Sequence, residues 1–168
     1  TGKSLYLGIN CQYQKTRNTL NMRAYTERTL EDHHLINSTP VAHLPSKLLQ
    51  PGEVPVDDVE YGTMVGKIAW IANTCRPDIC FIANMLQRAT TRPTAAHKST
   101  AIRVLRYLKN TIDYGIIYES DFKDEVKLEA YVDAAFGDRN DGYSTAGYVI
   151  MLNNCPISWR TSGLKFAA

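Results

Sequence analysis

The chain has 168 residues, of which 44% are hydrophobic and 21% charged, an ordinary balance for a folded protein. Its formal net charge of +2 excludes a strongly basic nucleic-acid arm but leaves a local basic face open. No apolar run approaches the roughly 20 residues of a membrane-spanning helix, and the polar start Thr1 to Ser4 lacks the apolar region of a signal peptide. We therefore expect an intracellular protein without a membrane partner.

The first third of the chain predicts two short strands, a helix and a loop. Leu5 to Cys11 is typical of a strand, and Thr19 to Met22 forms a second strand that pairs with it across a polar turn. A short helix is expected over Tyr25 to Asp32. The stretch from Ser38 to Asp58 holds four prolines, which exclude a long helix.

The middle of the chain predicts three consecutive helices. Helical spacing of apolar residues begins at Val59, Pro77 suits the start of a second helix, and a third is expected over Ala95 to Lys109. Two apolar stripes are expected to be buried: Ile79, Ile82, Ala83 and Leu86 in the second helix, and Ala101, Val104, Leu105 and Leu108 in the third.

The last third shifts to the alternation of strands. Four strands are predicted, joined by short turns into an antiparallel meander: Gly115 to Tyr118, Lys127 to Ala134, Thr145 to Leu152 and Ile157 to Arg160. The fold class is therefore α+β. Because no covering helix follows before Ala168, we expect one face of this sheet to be incompletely buried and the natural domain to continue.

Three tempting metal sites are rejected from the pattern. The four cysteines form no C-x-x-C pair, so we expect reduced thiols and no structural zinc. Adjacent His33 and His34 point about 100° apart on a helix and cannot easily share one ion. The pair Asp57-Asp58 precedes a helix, which favours a helix-start role over a catalytic metal pair.

The third helix carries the best candidate for nucleic-acid binding. Arg103, Arg106 and Lys109 lie on a side different from the apolar stripe, with Ile102 among them. Such a face can bind phosphates, and a solvated basic surface is the alternative that charge alone leaves open.

Asp133 is the candidate catalytic and metal-binding residue. It ends the strand Tyr131-Val132-Asp133, opposite the apolar positions Leu128, Ala130 and Val132. A carboxylate there can reach a metal ion, whereas an aspartate that only caps a turn has the same local pattern.

Nine motifs in order carry a resemblance that covers nearly the whole chain. Leu5 to Ile9 resembles the "FLGI" strand of copia-type retrotransposon reverse transcriptases, and Thr74 to Ile79 resembles their "TRPDI". Arg103 to Thr111 is similar to "RVLRYLKGT" almost residue for residue. The other six segments begin at Pro40, Tyr61, Asp113, Tyr131, Ser144 and Pro156 and resemble "PVxTPL", "YRxxVG", "DYGL", "YSDADW", "STSGYV" and "PISW".

The resemblance implies a piece of a Pol polyprotein in two parts. Residues 1–112 would be the end of the reverse transcriptase, with its palm end, thumb and connection. Residues 113–168 would be the truncated start of a domain with an RNase H-like fold. The implied partners are an RNA–DNA hybrid or primer–template and the remainder of the polyprotein, in a cytoplasmic particle and/or the nucleus.

The resemblance also implies Mg²⁺ in the complete parent enzyme. There Asp133 corresponds to the first aspartate of "DAD", one of several carboxylates that hold two Mg²⁺ ions. The second aspartate is Ala135 here, the tryptophan is Phe136, and "WxSKKQ" becomes the stretch from Trp159 to Leu164. The polymerase "YVDD" and the "SSxEAEY" glutamate would lie outside the 168 residues. Asp138 and Asp141 correspond to no ligand position.

Two functions follow as expectations from different classes. In the first, the chain is a fragment of a reverse transcriptase–ribonuclease H that binds primer–template weakly, does not hold Mg²⁺ stably and is inactive alone. In the second, it is a domesticated module that binds nucleic acid or protein without chemistry. Whether the chain acts as an enzyme is left open.

Overall fold

The computed structural model describes residues 2–45, 54–55, 59–119, 126–135 and 144–164. Asp57, Asp58, Phe136, Asp138 and Asp141 lie outside them. In the described part the strands are β1 (Gly2–Tyr6), β2 (Ile9–Tyr13), β3 (Arg17–Asn21), β4 (Gly115–Glu119), β5 (Leu128–Ala135), β6 (Thr145–Leu152) and β7 (Cys155–Gly163). The helices are α1 (Arg23–Asp32), α2 (Val59–Thr74), α3 (Cys80–Arg88) and α4 (Ala95–Asn110), and a 3₁₀ turn over Pro77–Ile79 precedes α3.

The predicted first strand is divided by a tight turn. Tyr6 and Ile9 face each other in the β1–β2 hairpin, so Leu7 and Gly8 form a two-residue turn with φ of 49° and 83°. Positive φ at both turn positions matches the right-handed twist of the flanking strands. The prediction of one continuous strand from Leu5 to Cys11 was therefore wrong, because Leu7 adopts a conformation that its residue type rarely takes.

The strand predicted to open the meander belongs to a different sheet. β4 pairs with β3, with Gly115 opposite Asn21 and Glu119 opposite Arg17, which gives the antiparallel order β1-β2-β3-β4. Ile116 on β4 is buried, at 3% exposure. The prediction of a four-stranded meander was wrong in this respect, because strand alternation does not reveal which strand is the partner.

The helical core forms as the apolar stripes predict. All eight stripe residues expected in α3 and α4 are buried, Ile79 in the 3₁₀ turn included, and they pack with the inner face of α2. Each fully buried Leu or Ile contributes about 1.5–3 kcal/mol relative to exposure. At the start of α4, Thr94 and His97 cap each other's backbone N–H groups, which fixes where this helix begins.

The second sheet has the order β5-β6-β7 and packs against the helices through β7. The indole Nε1 of Trp159 donates to the carbonyl of Ala72 in α2 at 2.9 Å. Leu128 and Val132 on β5 remain 66% and 76% exposed, so the expectation of an incompletely buried face is confirmed. The α+β class is also confirmed, while the boundary between residues 112 and 113 stays a prediction.

Candidate functional site

Asp133 is exposed on β5, directly opposite Gly147 of β6, which in turn faces Thr161 of β7. Directly paired residues share a sheet face, and alternation places Tyr131 and Trp159 on this face as well. Trp159 bonds to α2, so the face of Asp133 is the one turned toward the helices. The exposed Leu128 and Val132 lie on the opposite face, as predicted, although it is this apolar face that meets solvent.

The pocket beside Asp133 does not provide a metal-binding donor set. It has a volume of about 240 Å³, is lined also by Pro77, Cys80 and Trp159, and contains Asp133 as the one acid among its described lining residues. Across the described ranges, no three His, Cys, Asp or Glu residues gather where they could hold an ion. Two Mg²⁺ ions need several carboxylates. The described residues therefore do not fit a Mg²⁺ pair.

The basic side chains predicted on α4 have different environments. Arg103 is exposed. In contrast, Arg106 donates from Nε to the Thr39 carbonyl at 2.5 Å, and Lys109 donates from Nζ to the Ser38 carbonyl at 2.6 Å. These two cations hold the loop that follows α1 against α4, so Arg103 is the member of the set that is displayed to solvent.

A buried arginine, which sequence reasoning did not single out, joins three parts of the fold. Arg76 is 3% exposed and makes a two-pronged ion pair with Asp78, with N–O distances of 2.8 and 2.7 Å. Its Nη1 also donates to the carbonyl of Thr111 at the end of α4, at 2.9 Å. Its guanidinium lies 5.5 Å from the ring centres of both Tyr107 and Tyr114.

The charge of Arg76 is thus satisfied inside the protein and is not directed at a ligand. Tyr107 completes the group by donating its hydroxyl to Asp78 at 3.0 Å, and burial, together with that carboxylate, raises the pKa of Tyr107. The segment from Thr74 to Ile79 was recognised only as a family motif. Arg76 and Asp78, the oppositely charged residues on either side of Pro77, could have indicated the ion pair. The partners in α4 could not be found in the same way, because they are distant in sequence.

A cavity of about 560 Å³ lies beside this arginine group, between the first sheet and the 3₁₀ turn. Cys75 is among its lining residues, and burial, followed by the nearby Cys11, raises the pKa of the Cys75 thiol to about 11. A thiol with that pKa stays protonated near neutral pH, so it is a poor nucleophile. The four cysteines are free, as expected.

The fold is an α+β arrangement whose described residues contain no cluster of three or more possible metal ligands. Comparison with known proteins gives its class: the chain belongs to the retrotransposon Pol polyproteins, which confirms the resemblance of its motifs.

Three relatives indicate the extent of the similarity. The retrovirus-related Pol polyprotein from transposon RE1 of Arabidopsis thaliana is 34% identical over 165 residues, which are 95% of this chain and 11% of that protein. The putative transposon Ty5-1 protein of Saccharomyces cerevisiae is 31% identical over 172 residues, 95% of this chain and 53% of that protein.

The third relative carries a different kind of name. Secreted RxLR effector protein 161 of Plasmopara viticola is 35% identical over 112 residues, 66% of this chain and 78% of that protein. No family model and no solved structure matches the chain. The chain thus spans about a tenth of the RE1 polyprotein and about half of the Ty5-1 protein.

No helix in the described ranges combines the length and the apolar character needed to cross a membrane.

Proposed function

We propose that this chain is a segment of a retrotransposon reverse transcriptase–ribonuclease H that contacts an RNA–DNA hybrid or primer–template. Residues 1–112 form the end of the reverse transcriptase, and residues 113–168 begin an RNase H-like domain. The observation that carries the proposal is the 34% identity to the RE1 Pol polyprotein over 95% of the chain. The ordered motifs that were recognised from the sequence support it.

The basic side of α4 supplies the contact to the phosphate backbone in this proposal. Arg103 is exposed on a helix whose opposite side is locked into the core by Ala101, Val104 and Leu105. A phosphate contact from such a rigidly held arginine adds affinity that falls with salt. Arg106 and Lys109 contribute mainly by holding the loop that begins at Ser38, with their charges adding to the field around α4.

Catalysis in this proposal belongs to the complete parent and not to the segment. There Asp133 would be one of several carboxylates that hold a Mg²⁺ pair, and that pair would supply the activation of water. The other ligands come from the remainder of the polyprotein, with which this segment assembles in a cytoplasmic particle and/or the nucleus. The segment alone binds the hybrid weakly and cleaves nothing.

Fluorescence anisotropy with a labelled RNA–DNA hybrid tests the proposal. We expect binding that weakens with salt, and Arg103→Ala should lower the slope of log K against log salt by about one. Arg28→Ala, an exposed arginine of α1, is the matched control and should leave the slope unchanged. Absence of salt-dependent binding contradicts the proposal. An equal effect of both variants would show that Arg103 belongs to an ordinary solvated basic surface and makes no specific phosphate contact.

A second candidate function is a stand-alone interaction module without chemistry. The effector protein 161 favours it, because 112 matched residues already make up 78% of that relative. Ala135 in place of the second aspartate of "DAD" is consistent with such a role. Genomic sequence downstream of Ala168 discriminates: an in-frame "EAEY" and a later aspartate support the enzyme, and a stop codon supports the module.

A further inference from the structure

The Asp133 pocket, which is the cavity of about 240 Å³ beside that residue, has a glycine at its centre. Asp133 lies opposite Gly147, and Gly147 lies opposite Thr161, so these three residues form one row on the same face of β5, β6 and β7. Neighbouring strands lie about 4.8 Å apart, which puts Asp133 and Thr161 roughly 10 Å apart. Because Gly147 has no side chain, the space between them is open.

The packing of the strands does not require a glycine at this position. A Cβ added to Gly147 would lie 3.5 Å from the carbonyl oxygen of Arg160 and 3.7 Å from Oγ1 of Thr161, which are ordinary contact distances. Glycine inside a strand often marks a place where a ligand approaches the backbone closely. The missing side chain therefore leaves room for a ligand.

The neighbouring row of the same face supplies apolar and aromatic walls. Tyr131, Val149 and Trp159 lie in register, about 7 Å along the strands from the row of the glycine. The indole of Trp159 is held by its hydrogen bond to α2, and Tyr131 is 60% exposed, so a ligand can reach it from solvent. Pro77 and Cys80 line the helical side of the pocket.

The described lining of the Asp133 pocket carries one charge on this face. Asp133 is its one acid, and its one cation, Arg160, lies opposite Tyr148 and therefore on the other face of the sheet. A single carboxylate beside apolar walls matches a monovalent cation on an apolar stem, whereas Mg²⁺ needs several oxygen ligands. Aromatic rings within about 6 Å also attract such a cation.

The size of the pocket favours a side chain over a free small molecule. Its volume of about 240 Å³ is below the range of about 300–1,000 Å³ that small-molecule sites occupy. A lysine side chain carries one ammonium group at the end of an apolar four-carbon stem. A free polyamine carries an ammonium group at each end, and the second one would lie against the apolar walls, where an unpaired charge is costly.

We propose that the Asp133 pocket binds a lysine side chain of a partner protein, with the ammonium group donating to the Asp133 carboxylate and the stem lying over Gly147. The rings of Tyr131 and Trp159 flank the stem. The inference does not rest on the proposed function, because it uses neither Arg103 nor a nucleic acid. One ion pair at an exposed carboxylate contributes little affinity by itself, so the pocket adds specificity to a larger protein interface.

Amide NMR of the 168-residue chain, titrated with Nα-acetyl-lysine N-methylamide, tests the pocket directly. We expect roughly millimolar binding, with chemical-shift changes concentrated at Asp133, Gly147, Thr161 and the indole N–H of Trp159. The norleucine derivative keeps the stem and lacks the ammonium group, and it should bind about fivefold more weakly. Equal binding of the two derivatives overturns the role of the carboxylate.

Two variants and their matched controls separate the charge from the space. Asp133→Asn should weaken binding of the lysine derivative about fivefold, and Glu31→Gln, which removes an exposed acid from α1, should leave it unchanged. Gly147→Val fills the open space and should abolish binding. Ala146→Val adds bulk to the opposite face of the same strand and should bind like wild type, with circular dichroism confirming the fold of each variant.

The contrary results are equally specific. A wild-type chain that does not respond to the lysine derivative, shifts outside the pocket, or an Asp133→Asn variant that binds like wild type overturns the inference. MgCl₂ that displaces the lysine derivative more strongly than NaCl at equal ionic strength would show that the carboxylate prefers the metal, and overturns it as well. Putrescine that binds more tightly than the lysine derivative overturns the assignment to a protein side chain.

Discussion

Arg76 shows how a charge is stabilised in the interior of this protein. A guanidinium removed from water costs several kcal/mol unless its donors are paired, and here Asp78 and the end of α4 pair them. The two tyrosine rings cover the remaining surface of the group. The arginine therefore acts on stability, by joining α4 to the segment before α3.

Arg76→Lys should destabilise the protein by about 2 kcal/mol, since an ammonium cannot reproduce the two-pronged pair and the carbonyl bond together. Equilibrium urea unfolding measures the change. Arg103→Lys at an exposed position is the control and should stay within about 0.5 kcal/mol of wild type. Equal stabilities of the two variants would contradict the role assigned to Arg76.

Glu60 provides a pH-dependent contribution to stability. Its carboxylate accepts from Lys98 at 3.0 Å and contacts His33 at 3.3 Å, and these hydrogen bonds, Lys98 first, hold its pKa below the ordinary value of 4.5. A carboxyl group whose pKa is lowered in the folded protein stabilises the folded state at pH values above the pKa of that group in the unfolded chain. That contribution is lost as the pH falls through the lowered pKa.

Glu60→Gln should therefore lower the free energy of unfolding near pH 7 but not well below pH 4.5, the ordinary pKa. Because the side chain is 50% exposed, solvent limits the effect to at most about 1 kcal/mol. Thermal unfolding of both proteins across this pH range is the measurement. A difference that grows on acidification is the contrary result.

The environments of the basic residues could be predicted only in part. Helical periodicity correctly separated the buried stripe of α4 from its polar side, because that stripe depends on local spacing alone. The bonds from Arg106 and Lys109 to the loop at Ser38 could not be foreseen, since they join residues about 70 positions apart. Asp133 was correctly placed opposite Leu128 and Val132, but its proximity to Trp159 and the helices depends on tertiary packing.

The β3–β4 pairing depends on a glycine at a close backbone approach. A Cβ added to Gly115 would lie 2.1 Å from the carbonyl oxygen of Leu20 and 2.8 Å from the Cβ of Asn21. A side chain there forces the two strands apart. This residue therefore contributes to joining the last strand of the first sheet to β3.

Gly115→Ala should cost about 2–3 kcal/mol or more in urea unfolding, as expected for overpacking against a rigid backbone. Gly66→Ala in α2 is the matched control, because nothing lies within 4 Å of its added Cβ. That variant should gain about 0.5–1 kcal/mol from helix propensity. A Gly115→Ala protein as stable as wild type would show that β4 does not pair closely with β3.

The helices were easier to predict than the strand pairing. α2, α4 and β6 begin where the patterns placed them, because periodicity and the helix cap at Thr94 are local signals. The turn at Leu7–Gly8 was missed, since leucine seldom takes a positive φ. The partner of β4 was missed because pairing joins segments nearly 100 residues apart.

At the level of the whole chain, two sheets lie against one helical core. The first sheet is completed by β4, and the second is joined to the helices through Trp159 and Arg88. The hydroxyl of Tyr118 on β4 also donates to the carbonyl of Pro156 on β7 at 3.1 Å, which links the two sheets.

In the proposed function this segment contacts an RNA–DNA hybrid without cleaving it, because Asp133 is the one candidate metal-binding carboxylate among its described residues. The direct measurement is gel analysis of a labelled hybrid incubated with the purified 168-residue chain and Mg²⁺, at protein concentrations where anisotropy shows binding. We predict that the hybrid remains intact with both wild type and Asp133→Asn. Mg²⁺-dependent cleavage that disappears in Asp133→Asn would contradict the account.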